Sequence, residues 1–442
     1  MKPRYKVIME LESEGNISIS PILAQRIGIE NRKIIYVKFG IKSYEVKLNV
    51  SNNVGKDEIL LSKDIIEYLK LPLFIFYEVV FNKGEIIMGP FIGMLTEKSE
   101  ERLKEIINNL KSYVYGYEEI GGAILIFSTE GIDQSSQTIR GFIFNPETES
   151  FEEGTYYYPA SIFKRVGMVK ELRNHFRTFL GDTLFNNYIF NKWEAHKWLW
   201  CFDNVKNHLP YTILYEVPKD IRDFLAEYDT AYIKPIYGSQ GVGIVKVRKR
   251  GKWFFANYNC QGQEKEECFK TIEELNTFLK RNISKSRFII QKALDLIATD
   301  EKTIDFRALI VKDHYGEWRD IGIIARHGVK GSITSNISTG GSAELAQITL
   351  KNILKLTDEE VSKFRKRMST IAINAARGLE ESGISCGNLG VDLGVDLNGD
   401  VWIVEINNRD PNHTIALDAK DRQMFFKVRL QNMLYAKKLA GF

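Results

Sequence analysis

A chain of 442 residues exceeds what one hydrophobic core serves, and with 44% hydrophobic and 27% charged residues it reads as a folded protein of two or three domains. Its 61 basic and 57 acidic residues are well mixed and leave a net charge of +4, which argues against nucleic acid or an anionic membrane as the main partner. No apolar run is long enough to span a bilayer, the N-terminus lacks a signal-type apolar region, and Cys201, Cys260, Cys268 and Cys386 show no Cys-x-x-Cys spacing; a cytoplasmic protein with reduced thiols is expected.

Residues 1–88 carry an internal echo. Ile17-Ser18-Ile19-Ser20 followed by 21–29 parallels Ile59-Leu60-Leu61-Ser62 followed by 63–71. In each copy a short strand ends in a Ser suited to capping a helix, the helix stops near Gly or Pro, and an aromatic-rich strand follows at 33–39 and 74–81. Such a duplicated β-rich domain resembles a double-psi β-barrel.

From Gly89-Pro90-Phe91-Ile92-Gly93-Met94-Leu95-Thr96 the pattern changes to alternating strands and helices: an amphipathic run 97–110, an apolar strand 123–128 and a strand 141–145. Residues 89–190 are expected to form a small α/β domain with a partly parallel sheet. Tyr156-Tyr157-Tyr158-Pro159 reads as a packed strand end. A third domain is expected over 191–442, closed by an amphipathic helix at 422–439.

Within that third region, Lys234 ends an apolar strand and is followed by Gly238-Ser239-Gln240-Gly241-Val242-Gly243. Glycines there let backbone N–H groups approach an anion, so the segment reads as a phosphate lid with a lysine beneath it. It is not a Walker motif, because no Gly-Lys-Ser/Thr opens a helix, and strand-type residues follow where a Rossmann fingerprint needs a helix. The lid is expected to span 238–270, with Gly251, Gly262 and the charged run Glu264 to Glu267 marking a mobile excursion; the basic run 246–252 reads as solvated strand ends.

Next comes 288–294, a buried strand whose main chain could pair with an adenine edge, and then Asp305-Phe306-Arg307, which puts Arg307 on a strand beside the site. Arg326 and the loop Thr334-Ser335-Asn336-Ile337-Ser338-Thr339-Gly340-Gly341 supply planar cationic donors, an amide and paired glycines, groups that suit an oxyanion or a transferring phosphoryl group. Finally Gly-Val-Asp392-Leu and Val-Glu405-Ile-Asn407, joined by Asn398-Gly399-Asp400, read as a β-hairpin carrying three oxygen ligands. Oxygen ligands of this number suit Mg²⁺ shared with substrate phosphates rather than enclosed by protein. Asp396 is a rival ligand. His327 and His413 are candidates for acid/base work, with a structural role the commoner alternative.

This order of elements resembles the ATP-grasp superfamily over roughly 191–420, with a looser extension back to Gly89. Asp-Phe-Arg, Ser-Asn-Ile-Ser-Thr-Gly-Gly and Gly-Val-Asp-Leu look most like the ribosomal-protein glutamate ligase and glutathione synthetase branch, and the whole chain is similar to the endospore-coat-associated ATP-grasp proteins of spore-forming bacteria. The resemblance implies an α/β and α+β multidomain protein: an ATP-grasp fold preceded by a small α/β domain and a β-rich N-terminal domain. It implies that Lys192 (with Lys197 the alternative) and Lys234 hold ATP phosphates under a lid that includes Gly238, Ser239, Gly241 and Gly243. It further implies that Gln291, Lys292 and Leu294 border the adenine and that Asp392, Glu405 and Asn407 bind Mg²⁺.

Arg307, Arg326 and Asn336 then serve the reacting groups. The activity implied is an ATP- and Mg²⁺-dependent ligase joining a carboxylate to an amine, either of them a small molecule or a peptide, through an acyl phosphate. A small-molecule phosphotransferase and a non-catalytic coat protein that keeps the fold are the alternatives, and a spore-coat association is the implied setting. The chain departs from the family pattern in Asn408-Arg409-Asp410-Pro411, which stands where small residues usually follow the Asn.

Overall fold

The computed structural model describes residues 2–238, 241–260, 263–282, 287–299, 302–330 and 340–442. The chain groups into two compact units. The first comprises Met1–Asn187, Lys312–Glu317 and Phe426–Phe442, and the second comprises Tyr188–Val311 and Trp318–Phe425.

The first unit begins with a closed seven-stranded barrel in the order Tyr5–Glu10, Glu58–Ser62, Asn16–Ile19, Lys42–Val50, Ile34–Phe39, Glu85–Gly89, Phe76–Asn82. The repeated sequences lie side by side in it: Ile17 pairs with Leu61, Ser18 with Leu60 and Ile19 with Ile59, antiparallel. Their alternate side chains fill the barrel, with Ile17, Ile19, Ile59 and Leu61 fully buried. The two serines differ in use. Ser20 caps the helix Pro21–Ile27 by accepting the Leu23 N–H, and Gly28 at φ 71° closes it. Ser62 makes no such cap; its hydroxyl accepts the Asn16 N–H of the other copy, stitching the repeats together.

A sheet ordered Ser150–Tyr157, Thr138–Asn145, Ala123–Asp133, Phe91–Glu97, Ser161–Lys164, Leu184–Phe185 completes the first unit. Its middle is parallel, and the hairpin at 138–157 adds antiparallel strands. The strand Phe91–Glu97 is buried on both faces, so both need a covering layer. Met433, Leu434, Tyr435 and Ala436 of the terminal helix Arg422–Leu439 join the cluster of Ile92, Met94 and Ile124 on one face. The end of the helix therefore groups with this unit, not with the region from 191 in which the sequence pattern put it.

The second unit holds two sheets. One is antiparallel throughout, ordered Thr212–Leu214, Phe288–Lys292, Thr230–Pro235, Val245–Arg250, Trp253–Cys260, Gln263–Phe269. Ile221, Phe224 and Leu225 of the helix Pro218–Tyr228 and Leu275, Phe278 and Leu279 of the helix Ile272–Asn282 form its core. The other sheet runs Ser342–Leu345, Trp318–His327, Lys302–Lys312, Asn388–Val395, Val401–Asn407. The long helix Asp358–Glu381, opened by the reciprocal Thr357/Glu360 capping box, packs Met368, Ile371, Ala372 and Ala375 against it.

The run Glu264 to Glu267, read as part of a mobile excursion, lies in the exposed edge strand Gln263–Phe269. Asn257 donates to Glu266 and Tyr258 to Glu267 across the pairing, which holds the glutamates in a ladder. No helix among the described residues is long and apolar enough to cross a membrane.

Candidate active site

Between the two sheets of the second unit lies a cavity of about 790 Å³ that opens to solvent, lined among others by Lys234, Gln291, Leu294, Arg307, Arg326, Asp392, Glu405 and Asn407. Its floor is the hairpin of Asn388–Val395 and Val401–Asn407. Asp392 stands opposite Glu405 and Gly390 opposite Asn407, with a bulge just beyond Asp392. Gly390 explains part of the Gly-Val-Asp pattern: a Cβ there would lie 3.0 Å from Nη1 of Arg307, whose side chain crosses that spot.

Asp392 is 5% exposed and is the electrostatic centre of the cavity. The Arg307 Nε donates to its Oδ1 and Nη2 to its Oδ2 at 3.1 Å; Nη2 of Arg326 is also 3.1 Å from Oδ2, and the Asn407 amide donates to the same oxygen at 3.3 Å. Burial by itself would raise this carboxyl, but the two guanidinium groups hold it below the usual carboxylate range. Arg326 is held in turn by Asp305, Nε to Oδ1 at 2.5 Å and Nη2 to Oδ2 at 2.6 Å. Burial opposes the charge of Arg326, and Asp392 and Asp305 outweigh it, so its pKa lies above the ordinary arginine value.

Lys234 forms the opposite wall. It is 7% exposed and donates to Oε1 of Gln291 at 2.6 Å, while Nε2 of Gln291 donates to Thr212 at 3.1 Å. Burial pushes the Lys234 ammonium down to about 8, and Lys192 adds to this, against the opposing pull of Glu405 and Asp392. Lys192 is the first residue of the helix Lys192–Leu199, set by the reciprocal Asn191/Glu194 capping box. Its ammonium donates to the Gly238 carbonyl at 2.8 Å and pairs with Glu405 at 3.1 Å. His196, one turn on, is pushed by burial down to about 4 and adds no charge at neutral pH.

Of the lid glycines, Gly238, Gly241 and Gly243 adopt φ of 145°, 74° and 75°, which glycine alone takes without strain. Ser239 and Asn336 lie outside the described residues, as does the loop from 334 to 339. The alternatives separate clearly. Lys197 is exposed and Lys192 lines a small recess beside Lys234 and Glu405. Asp396 is spent on the hairpin turn, accepting the Asn398 and Asp400 N–H groups and the Trp402 indole. His327 bonds Thr349 and His413 bonds Asn388, and neither lines the cavity.

The strand Phe288–Lys292 borders the cavity, but its Gln291 side chain is taken by Lys234, and the Lys292 N–H by the Tyr211 carbonyl at 2.9 Å. Sequence reasoning missed Asp305 as the tether of Arg326, and missed Lys246, Asp295, Arg409 and Asp410 on the cavity wall. Its basic neighbours group Lys246 with solvated strand ends, but it faces Tyr232 across the strand pairing, on the same face as Lys234. Only that register reveals it.

Among the described residues no three His, Cys, Asp or Glu side chains form a metal cage. Two carboxylates and an amide on adjacent strands instead match the needs of Mg²⁺, which takes one or two carboxylates and completes its shell with water and phosphate.

Residues 181–439 match the family described as YheC/D-like ATP-grasp. The chain belongs to that family. The matched residues include both sheets of the second unit and the whole cavity lining, so the fold around the site is an ATP-grasp fold.

The chain is 25% identical to endospore coat-associated protein YheD of Bacillus subtilis (strain 168), over 92% of this chain and 90% of that one. It is 20% identical to endospore coat-associated protein YheC of the same organism, over 72% of this chain and 89% of that one. Among solved structures, the D-alanine-D-alanine ligase from Coxiella burnetii aligns with a TM-score of 0.45 and 10% identity, covering 79% of this chain and 96% of that one. The ATP-grasp ligase PsnB, complexed with a phosphomimetic variant of minimal precursor, Mg and ADP, aligns with a TM-score of 0.41 and 13% identity, covering 79% of this chain and 99% of that one.

The depressed Lys234 has a measurable consequence. A polyanion bound beside it raises its pKa, so between about 8 and that higher value binding takes up a proton. Calorimetric titration with a nucleotide triphosphate in buffers of different ionisation enthalpy is expected to show proton uptake at pH 8.5 to 9 (roughly the window above the free lysine's midpoint) and much less near pH 6.5. Affinity falls as pH rises through this window. Equal uptake at both pH values would mean that Lys234 does not meet the phosphates.

Proposed function

We propose that the chain is an ATP- and Mg²⁺-dependent, ADP-forming carboxylate–amine ligase. The observation that carries this is the meeting of Lys234, Arg307 and Arg326 with Asp392 and Glu405 in one cavity of an ATP-grasp fold. Gathering that many ionised groups away from water is costly even when they pair with one another, and a ligand of matching charge gives the set a use.

In this reading a carboxylate oxygen of the first substrate attacks the γ-phosphorus of ATP, the bond to the β,γ-bridging oxygen breaks, and ADP leaves with that electron pair. The amine of the second substrate then attacks the acyl carbon, inorganic phosphate departs, and the nitrogen loses a proton as the amide forms. Lys192 and Lys234 hold the phosphate chain, and Arg307 and Arg326 neutralise charge that develops on the transferring group and on the acyl oxygen. Mg²⁺ held by Asp392, Glu405 and the Asn407 carbonyl would add Lewis-acid neutralisation of the phosphates. The adenine lies along Gln291, Lys292 and Leu294, with the backbone at Leu294, past the paired end of its strand, as the segment offered to the base edge. No protein nucleophile takes part. The names of the two Bacillus relatives support a place at the spore coat.

Calorimetry with a nonhydrolysable ATP analogue tests the nucleotide site. Wild type is expected to bind in the micromolar range with Mg²⁺ and far more weakly without it. Glu405→Gln should erase most of that Mg²⁺ dependence without weakening the metal-free affinity, since it also frees Lys192 from its carboxylate partner. Acid and amine pairs are then screened for coupled release of ADP and phosphate. A folded wild type that binds no nucleotide would replace the ligase reading with a non-catalytic scaffold, and ADP release with phosphate retained on the acceptor would make it a phosphotransferase.

A further inference from the structure

The two cavity arginines are tethered unequally. Arg307 engages one carboxylate, Asp392, through both Nε and Nη2, and among the described residues it has no second ionic partner. Arg326 engages two: a two-point pair with Asp305 at 2.5 and 2.6 Å, and a single contact from Nη2 to Oδ2 of Asp392 at 3.1 Å. Oδ2 of Asp392 thus receives three donors, from Arg307, Arg326 and Asn407. A divalent cation can take this carboxylate only if guanidinium groups yield it, because an oxygen committed to N–H donors has few lone-pair directions left for a metal.

We propose that Asp305 is a positioning residue that sends the two arginines to different tasks when the metal arrives. Arg307 gives up its one carboxylate and turns to the nucleotide's phosphates. Arg326 gives up a single contact, keeps its two-point pair with Asp305, and stays fixed as a donor at the reacting end of the cavity. Asp305 and Arg307 are two residues apart on the strand Lys302–Lys312, so both point to the cavity, and Arg326 comes from the strand beside it. The tether also lowers the competition that the metal meets, since a guanidinium satisfied by Asp305 has less to lose on leaving Asp392. This inference rests on the cavity being a metal–nucleotide site, as proposed above.

The test uses the full chain and Mn²⁺ as the probe, with free Mn²⁺ read from its electron paramagnetic resonance signal in the presence of a nonhydrolysable ATP analogue. Wild type, Asp305→Asn, Arg326→Met and the double variant form a cycle. Asp305→Asn drops Arg326 wholly onto Asp392 and is expected to weaken Mn²⁺ binding roughly tenfold, the scale of one charge-assisted hydrogen-bonded contact. In the Arg326→Met background the same substitution should change Mn²⁺ binding less than about twofold, because no guanidinium remains to fall back.

A purely structural Asp305 would give the same loss in both backgrounds, and that result, or no loss in either, overturns the proposal. A wild type that binds no Mn²⁺ with the analogue removes the metal–nucleotide reading itself and this inference with it. Wild-type binding with a flat cycle removes only the role of Asp305.

Discussion

Asp392→Ala is expected to lower the unfolding free energy by about 3–5 kcal/mol, the usual cost of removing one partner of a buried ion pair, and to abolish Mg²⁺-dependent nucleotide binding. The reason lies in what is left behind. Arg307 is 8% exposed and among the described residues keeps no carboxylate, so its guanidinium stays desolvated and uncompensated, whereas Arg326 retains Asp305. Adding Arg307→Met should recover most of the stability and none of the binding, which separates the structural from the ligand-binding share of Asp392. Urea denaturation of the three proteins reads the first effect and calorimetry the second. A loss below about 1 kcal/mol would show that Arg307 finds water or another acceptor, as exposed pairs do.

The pH dependence of that difference has a definite sign. The Asp392 carboxyl lies below its ordinary value in the folded protein because Arg307 and Arg326 outweigh its burial. Its contribution is therefore fully present above the unfolded value of about 3.9 and is lost only as pH falls through the lower folded value. The gap in stability between wild type and Asp392→Ala should be flat across neutral pH and close only in acid.

Lys234→Met is expected to weaken nucleotide binding roughly 100-fold while leaving thermal stability unchanged or higher, since charge-assisted phosphate contacts from a buried donor are strong and its ammonium is costly when no phosphate is bound. The fall from 10.5 to about 8 corresponds to roughly 3 kcal/mol of net penalty on the charged form, at about 1.4 kcal/mol per unit, with burial its largest cause. Methionine removes that cost but strands Oε1 of Gln291, a loss of about 1 kcal/mol. Wild-type stability should rise relative to the variant as pH climbs from 8 toward 10.5, where the folded lysine sheds its proton before the unfolded one does. Thermal melts with and without Mg²⁺ and the ATP analogue measure both effects. A variant that melts much lower without ligand would make Lys234 a structural residue.

Much of this arrangement is legible in the sequence. Hydrophobic alternation around Asp392 and Glu405, with Asn398-Gly399 between them, is a local signal, and the hairpin it predicts sets Asp392 opposite Glu405. The glycines after Lys234 signalled backbone freedom for the same local reason, and Gly238, Gly241 and Gly243 use it at positive φ. What misled was charge without context. Lys246 looked solvated because its neighbours are basic, and it faces the cavity because the strand pairing puts it opposite Tyr232. Glu264 to Glu267 carry no strand signal in their charges, and they form a strand because Asn257 and Tyr258 stand across from them. Ser20 and Ser62 looked equivalent, yet one caps a helix and the other bonds the opposite repeat.

The sequence by itself determined the order of elements, the turn chemistry and the kinds of polar group available, because periodicity, capping and glycine conformation act within a few residues. Tertiary structure alone decided which of those groups meet. Asp305 and Arg326 are 21 positions apart and Arg307 and Asp392 are 85 apart. Long-range strand order brings them together, and only there can burial turn ordinary charges into a set of competing ion pairs. The same long-range packing carried the end of the terminal helix to the first unit, since a strand buried on both faces needs a cover that no local pattern can specify.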